Sequence, residues 1–362
     1  MTQPLHFSTP PARVLIIKPS AIGDVVHALP ILNLLRTHWP QSHIAWLVTP
    51  ACAGLLEDHP QLDEVIPFER RLFGQAWKNP KAAARLYVFQ KELRARKFDL
   101  VIDLQGLFRS AWLAKRSGAP IRVGFANARE LAWTFYTHRV PVHTLEQHAI
   151  DRYLSVLEFL GLPKAPVDFV FPTSGVDRDH ISQFLPRGKR YAVLLPGTNW
   201  LTKRWPTEHF ASLIRPLYER HGLTTVLAGS PDEVSLCEQV YRHAATAHPD
   251  PRALPPVINL AGKTTLRQLV ALLRDADLVL ANDSGPMHIA SALGRPLVTL
   301  FGPTSPLRTG PYNRLDTVLH LDIPCSPCYS RKCSHHSCLK LLGPLPALNL
   351  ATQQLQNSSA PK

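Results

Sequence analysis

The chain has 362 residues, too many for a single hydrophobic core, so two domains are expected. Its 45% apolar content excludes a disordered chain, and no stretch approaches the roughly 18 apolar residues of a membrane span. The formal net charge of +13 asks for an acidic partner: nucleic acid, an anionic membrane surface or a phosphorylated substrate. The first twenty residues lack the basic start and long apolar run of a secretory signal, so a cytoplasmic location is expected. Six cysteines in that setting read as thiols or metal ligands before disulfides.

In chain order, the apolar run at 13–18 (RVLIIK) reads as a buried parallel strand. PSAIGD follows as a turn, and apolar spacing predicts a helix over 24–37. Only Gly23 is present there, so this is not the G-x-G-x-x-G dinucleotide fingerprint. Strands are predicted at 43–48, 64–67, 100–104 and 121–124. One basic helix is predicted over 70–96, and further helices over 108–116 and 148–160. The aromatic stretch 125–142 reads as irregular. Pro and Gly punctuation over 163–186 marks the domain boundary.

A second series follows, with strands at 191–195, 224–228, 257–259, 278–281 and 296–301. Helices are predicted over 208–221, 234–245, 266–275 and 287–293. Such βα alternation predicts an α/β fold of two doubly wound domains whose strand-end turns bind ligand. After 318 the periodicity ends, and 351–362 reads as disordered.

Several of these turns carry chemistry. Asp24 is either a first-turn carboxylate favoured by the helix dipole or a general base. The turn GTNWLTKRWP holds Thr198, Asn199, Thr202, Lys203 and Arg204; it is a solvated loop or a diphosphate clamp. Gly262-Lys263-Thr264 lacks the preceding glycine of a P-loop and reads as a plain helix start. Asp283, Ser284, Gly285 and His288 form either a capped turn or a donor site, with helix N–H groups for phosphate. Cys325, Cys328, Cys333 and Cys338, with His335 and His336 among them, are metal-ligand types at loose spacing, or free thiols. The basic segment 70–96 is a solvated helix face or meets an anionic lipid surface, and no nucleic-acid fold signature accompanies it.

NDSGPMHIASALGRPLVTLFGPTSPLRTGPY, at 282–312, resembles the signature of glycosyltransferase family 9, the ADP-heptose:lipopolysaccharide heptosyltransferases. RVLIIKPSAIGDVVHALP, FDLVIDLQGLFRS and PGTNWLTKRWP fall in the same order as in that family. CSPCYSRKCSHHSCL is similar to the Cys-rich tail of a subset. Together these cover about residues 13–340.

The resemblance implies a GT-B fold, with two Rossmann-like domains facing across a cleft. An acceptor-binding domain would span 1–172, a linker 173–190, a nucleotide-sugar domain 191–322 and a Cys-rich extension 323–362. It implies inverting transfer of heptose from ADP-heptose to the lipopolysaccharide inner core, either lipid A–Kdo or a heptose on it. Asp24 would then be the base and Lys203 the group that neutralises the leaving diphosphate. Thr198, Asn199, Glu233, Asp283, Ser284, Gly285 and His288 would complete the donor site, with the Glu233 assignment open to a slip onto Asp232. Arg70, Arg71, Lys78 and Arg109 are the expected contacts of an anionic lipopolysaccharide precursor, met at the cytoplasmic face of the inner membrane. No cofactor is expected for catalysis, and a structural zinc or iron ion would sit at the four cysteines. A family 9 transferase acting on protein or another glycan, and a non-catalytic nucleotide-sugar binding protein, are the alternatives.

Overall fold

A computed structural model describes residues 3–142, 144, 146–163, 165–185, 188, 190–247 and 254–359. The chain divides into two compact units, Met1–Pro172 and Thr173–Lys362. In the first, β1 (Arg13–Ile17), β2 (His43–Val48), β3 (Glu64–Pro67), β4 (Leu100–Asp103), β5 (Ile121–Phe125) and β6 (His138–Val140) form one sheet. Its order is β3-β2-β1-β4-β5-β6, and every pairing is parallel. In the second unit, β7 (Tyr191–Leu195), β8 (Thr224–Leu227), β9 (Val257–Asn259), β10 (Leu278–Asn282), β11 (Leu297–Phe301) and β12 (Val318–His320) form another parallel sheet. Its order is β12-β11-β10-β7-β8-β9.

Read from β9, the second sheet repeats the winding of the first. Each unit starts on a central strand, builds outward on one side, then crosses back to build the other. The winding therefore reverses between β1 and β4, and again between β7 and β10. At such a switch point the turns that leave the strand ends diverge and open a crevice. The middles of the central strands are apolar because helices cover both faces of a parallel sheet. Val14, Leu15, Ile16 and Ile17 are fully buried, as are Leu278, Val279, Leu280 and Ala281.

The helix Ile22–His38 starts two residues before Asp24 and buries nearly all of its middle, from Val25 to Leu35. It packs along the helix Ala149–Phe159, which the left-handed Gly161 follows. Trp205 fixes the second unit's site. Its indole is 1% exposed and donates to the Leu342 carbonyl at 2.7 Å, and its backbone N–H donates to Asn282 Oδ1 at 3.0 Å. The turn after β7 is thereby tied to the end of β10.

Three expectations need correction, and the stretch expected as a linker gains a helix. The basic stretch 70–96 is two helices, Arg70–Phe73 and Pro80–Ala95. Asn79 caps the second through Lys81 and Ala82 N–H, and Pro80 suits its first turn. The irregular stretch 125–142 contains β6, a three-residue edge strand too short for a period-2 signal. The linker 173–190 carries the helix Gly175–Ser182, capped by Ser174 and Asp177. Asp177 also pairs with Arg267 at 3.2 Å, which fastens that helix to the helix Leu266–Arg274. Finally, the end read as disordered is the helix Pro344–Ser359. Ala347, Leu348, Ala351 and Leu355 join the second core there, against Phe210, Leu213 and Leu217. Residues 360–362 lie outside the described residues. Among the described residues no helix is long and apolar enough to cross a membrane.

Candidate active site

In the first unit, the ends of β1 and β4 lie side by side, with Ile17 opposite Asp103. Lys18 continues β1 and is buried at 3% exposure. Its Nζ lies 3.6 Å from Asp24 Oδ1 and 5.3 Å from the centre of the Tyr153 ring. Asp24 Oδ2 accepts the N–H of Ala21, the residue that caps its helix, at 3.0 Å. The Tyr153 hydroxyl donates to Asp24 Oδ1 at 3.5 Å.

Burial opposes ionisation of Asp24, but the Lys18 ammonium, the Ala21 N–H and nearby His27 outweigh it and hold the carboxyl below its ordinary range. The side chain keeps 44% exposure, so water solvates part of it and the Lys18 pair carries that direction. Burial likewise opposes the Lys18 charge, and Asp24 and Tyr153 outweigh it, raising the lysine above its ordinary value. Asp24 is thus ionised at neutral pH, and its carboxylate is partly open to solvent.

Asp103 is fully buried beneath this group. It accepts from Tyr136 Oη at 2.7 Å, Ser110 Oγ at 2.8 Å, Gln105 N at 2.9 Å and Gly106 N at 3.2 Å. Burial nevertheless pushes its carboxyl upward. Asp103 shapes the turn after β4 from within. Sequence reading missed both Lys18 and Asp103. The available signal was a charged residue at the carboxyl end of a buried strand, where doubly wound sheets collect ligand groups.

In the second unit, the turn after β7 meets the turn after β10. Lys203 Nζ lies 2.6 Å from Asp283 Oδ2, which also accepts Thr304 Oγ1 at 2.6 Å. Thr198 Oγ1 donates to the Asp283 carbonyl at 3.3 Å, and Arg204 donates twice to the Thr198 carbonyl, at 3.0 and 3.1 Å. Asn282 braces the same turn from below through Pro196 O at 2.8 Å. Lys203 and Asp283 are 15% and 5% exposed, so this is a largely desolvated ion pair.

Ser284 caps the helix Gly285–Ala292, and its buried Oγ has no partner among the described residues. Pro286 in the first turn removes a donor that needs no partner there. His288 is buried one turn into that helix. Glu233 accepts the Ser230 N–H at 2.8 Å, and its carboxylate lies against Gly197 where any Cβ would collide with it. Asp232 is exposed, so the geometry puts Glu233 on the β7 turn. Asn199 is exposed on that turn and, among the described residues, has no bond that ties it to the cluster. Thr304 and Trp200 belong to this site and were not named as binding residues from sequence. Thr304 lies in the GPTSP turn that follows β11.

Arg70, Arg71 and Lys78 are exposed, and Arg109 lies beside Gly74 at the end of the Arg70–Phe73 helix. Trp77, at 79% exposure, carries Lys78 at 4.2 Å from its ring centre. Cys325, Cys328, Cys333 and Cys338, with His335 and His336, line one cavity of about 330 Å³. Among the described residues, no three donors are close enough together to hold a metal ion. The donor set suits zinc or iron by type but is not drawn together, so no step is derived through a metal.

The chain is similar in structure to E. coli heptosyltransferase WaaC with ADP-2-deoxy-2-fluoro heptose, with a TM-score of 0.72 and 29% identity, covering 96% of this chain and all of that one. The protein is thus an α/β glycosyltransferase with the GT-B fold. The profile of glycosyltransferase family 9 (heptosyltransferase) matches residues 86–339. Lipopolysaccharide heptosyltransferase 1 of Pseudomonas aeruginosa is 34% identical over 331 residues, covering 89% of this chain and 88% of the relative. Lipopolysaccharide core heptosyltransferase OpsX of Haemophilus influenzae is 31% identical over 315 residues, covering 86% and 85%. The chain belongs to glycosyltransferase family 9.

Proposed function

We propose that the protein moves heptose from ADP-heptose to the inner core of a lipopolysaccharide precursor, with inversion at the anomeric carbon. The observation that carries this reading is the Lys203–Asp283–Thr304 cluster at the β7/β10 switch point, beside a helix start whose Ser284 hydroxyl has no partner among the described residues. Preorganised donors of this kind stabilise charge as it develops on a leaving diphosphate. Thr198, Glu233 and His288 would hold the nucleotide and sugar around it.

In the reaction, an acceptor hydroxyl attacks the anomeric carbon and the bond to the diphosphate oxygen breaks. Asp24 takes the hydroxyl proton, and ADP leaves with the bond's electron pair. Lys18 keeps Asp24 ionised and therefore able to accept. The acceptor is anionic, and the exposed cations Arg70, Arg71, Lys78 and Arg109 support its binding. With Trp77, Tyr87 and Val88 exposed between them, the same helices suit the cytoplasmic face of an anionic membrane.

The test is incubation of the purified chain with ADP-heptose and a panel of truncated core acceptors, free or carried in anionic vesicles. The expected product gains one heptose in mass, and vesicles raise the yield. No product with any acceptor overturns the substrate assignment, and equal yield with and without vesicles removes the membrane part. The four thiols are metal-ligand types and line one cavity, which supports a structural zinc or iron ion once they draw together. About one ion per chain is expected in anaerobically purified protein, lost in Cys325→Ser/Cys328→Ser. Metal-free protein removes that part of the reading.

A further inference from the structure

The donor cluster presents less positive charge than a diphosphate demands. Lys203 is its nearest cation, but Asp283 already engages it at 2.6 Å, so the pair is close to neutral. Arg204 is turned inward onto the Thr198 carbonyl. ADP released from a sugar carries two to three negative charges on adjacent phosphates. Another cation within reach would be needed to balance it.

The Cys-rich loop supplies one. Arg331 Cζ lies 4.5 Å from the centre of the Trp200 ring, and Lys203 Nζ lies 4.7 Å from the same ring. The indole therefore holds both cations, each at a distance that suits attraction to its face. Arg331 is exposed and has no carboxylate partner among the described residues, so its fork of donors is open.

The loop is also fastened to the site at three points. Thr202 Oγ1 donates to the Ser330 carbonyl at 2.9 Å, one residue from Lys203 and one from Arg331. The Tyr329 N–H donates to Pro303 O at 2.7 Å, and Ser326 Oγ donates to Gly302 O at 2.6 Å, both beside Thr304. Leu339 and Cys338 close onto Gly302, leaving no room for a Cβ there. The Cys-rich loop thus bridges the Lys203 turn and the Thr304 turn and carries Arg331 between them.

We infer that Arg331 is a second cation for the donor's diphosphate, which makes the Cys-rich loop part of the nucleotide site. The inference rests on the reading of the Lys203–Asp283 cluster as that site. ADP and AMP serve as probes, titrated by calorimetry into the full chain. Arg331→Gln weakens ADP by roughly tenfold and AMP by much less, because a partly exposed charge-assisted bond is lost only where the second phosphate sits. Arg331→Lys keeps a point charge without the fork and recovers part of the affinity. Lys332→Gln, in the same loop but facing the cysteine cavity, leaves ADP affinity unchanged.

Wild-type protein that binds ADP, with Arg331→Gln binding it equally well, overturns the inference and leaves the donor-site reading intact. Equal losses for ADP and AMP also overturn it, since they would mark disruption of the loop and not a lost phosphate contact. Wild-type protein that fails to bind ADP overturns both.

Discussion

Asp24→Asn lowers kcat by about a hundredfold to ten-thousandfold and leaves ADP affinity essentially unchanged. The asparagine can still accept the Ala21 N–H, so the turn keeps its shape, but no proton acceptor remains. Because Asp24 lies in the first unit, the contacts of the Lys203–Asp283 cluster are untouched. The depressed carboxyl makes Asp24 a weak base, so the effect falls toward the lower end of that range. Its proton transfer is favourable only once the acceptor oxygen has begun to bond and acidify.

The pH dependence follows with a definite sign. A carboxyl held down in the folded protein stays ionised as pH falls, until pH drops through its lowered value. The acid limb of kcat/KM therefore lies below the ordinary aspartate value of about 3.9. Lys18→Met removes the main opposing charge and moves that limb upward. An acid limb near the histidine value of about 6.5 would assign the base elsewhere, with buried His27, which acts on the Asp24 charge, a candidate. The stability cost of Asp24→Asn is on the order of 1 kcal/mol, since the carboxylate is half in water. Thermal unfolding run beside the kinetics separates that cost from the lost chemistry.

Lys203→Ala is expected to do two things at once. It removes the cation from the diphosphate site, lowering kcat/KM by about a hundredfold to a thousandfold. It also strands the Asp283 carboxylate, 5% exposed, with the Thr304 hydroxyl as its remaining side-chain partner among the described residues, at roughly 3 kcal/mol of stability. The two effects come apart in a double variant. Lys203→Met/Asp283→Asn leaves no buried charge unpaired, so stability returns while donor binding and turnover do not. Restored turnover in the double variant would mean that the pair is structural. Full activity in Lys203→Ala would remove the lysine from the donor site.

The sequence was most legible where burial is two-sided. β1, β2, β4, β7, β10 and β11 are apolar runs inside parallel sheets, and such runs announce themselves. β6 was not legible, because His138, Arg139 and Val140 form a half-exposed edge that pairs only with β5. The Pro344–Ser359 helix is rich in Gln and Asn, which masked a regular face formed by Ala347, Leu348, Ala351 and Leu355. Asp24, Lys203 and Asp283 could be picked out because turns at strand ends concentrate polar residues. Lys18, which pairs with Asp24, and Asp103 were harder to pick out, since each looks like the charged end of an apolar strand until register sets β1 and β4 side by side. The bridging role of the Cys-rich loop was hidden for another reason. Thr202 meets Ser330 across 128 residues of chain, and no local pattern records such a contact.

The anomeric configuration of the sugar in the product, read by NMR after transfer from ADP-heptose, tests the central claim most directly. A single displacement assisted by Asp24 predicts a configuration opposite to the donor's, lost together with turnover in Asp24→Asn. Retained configuration would contradict that account.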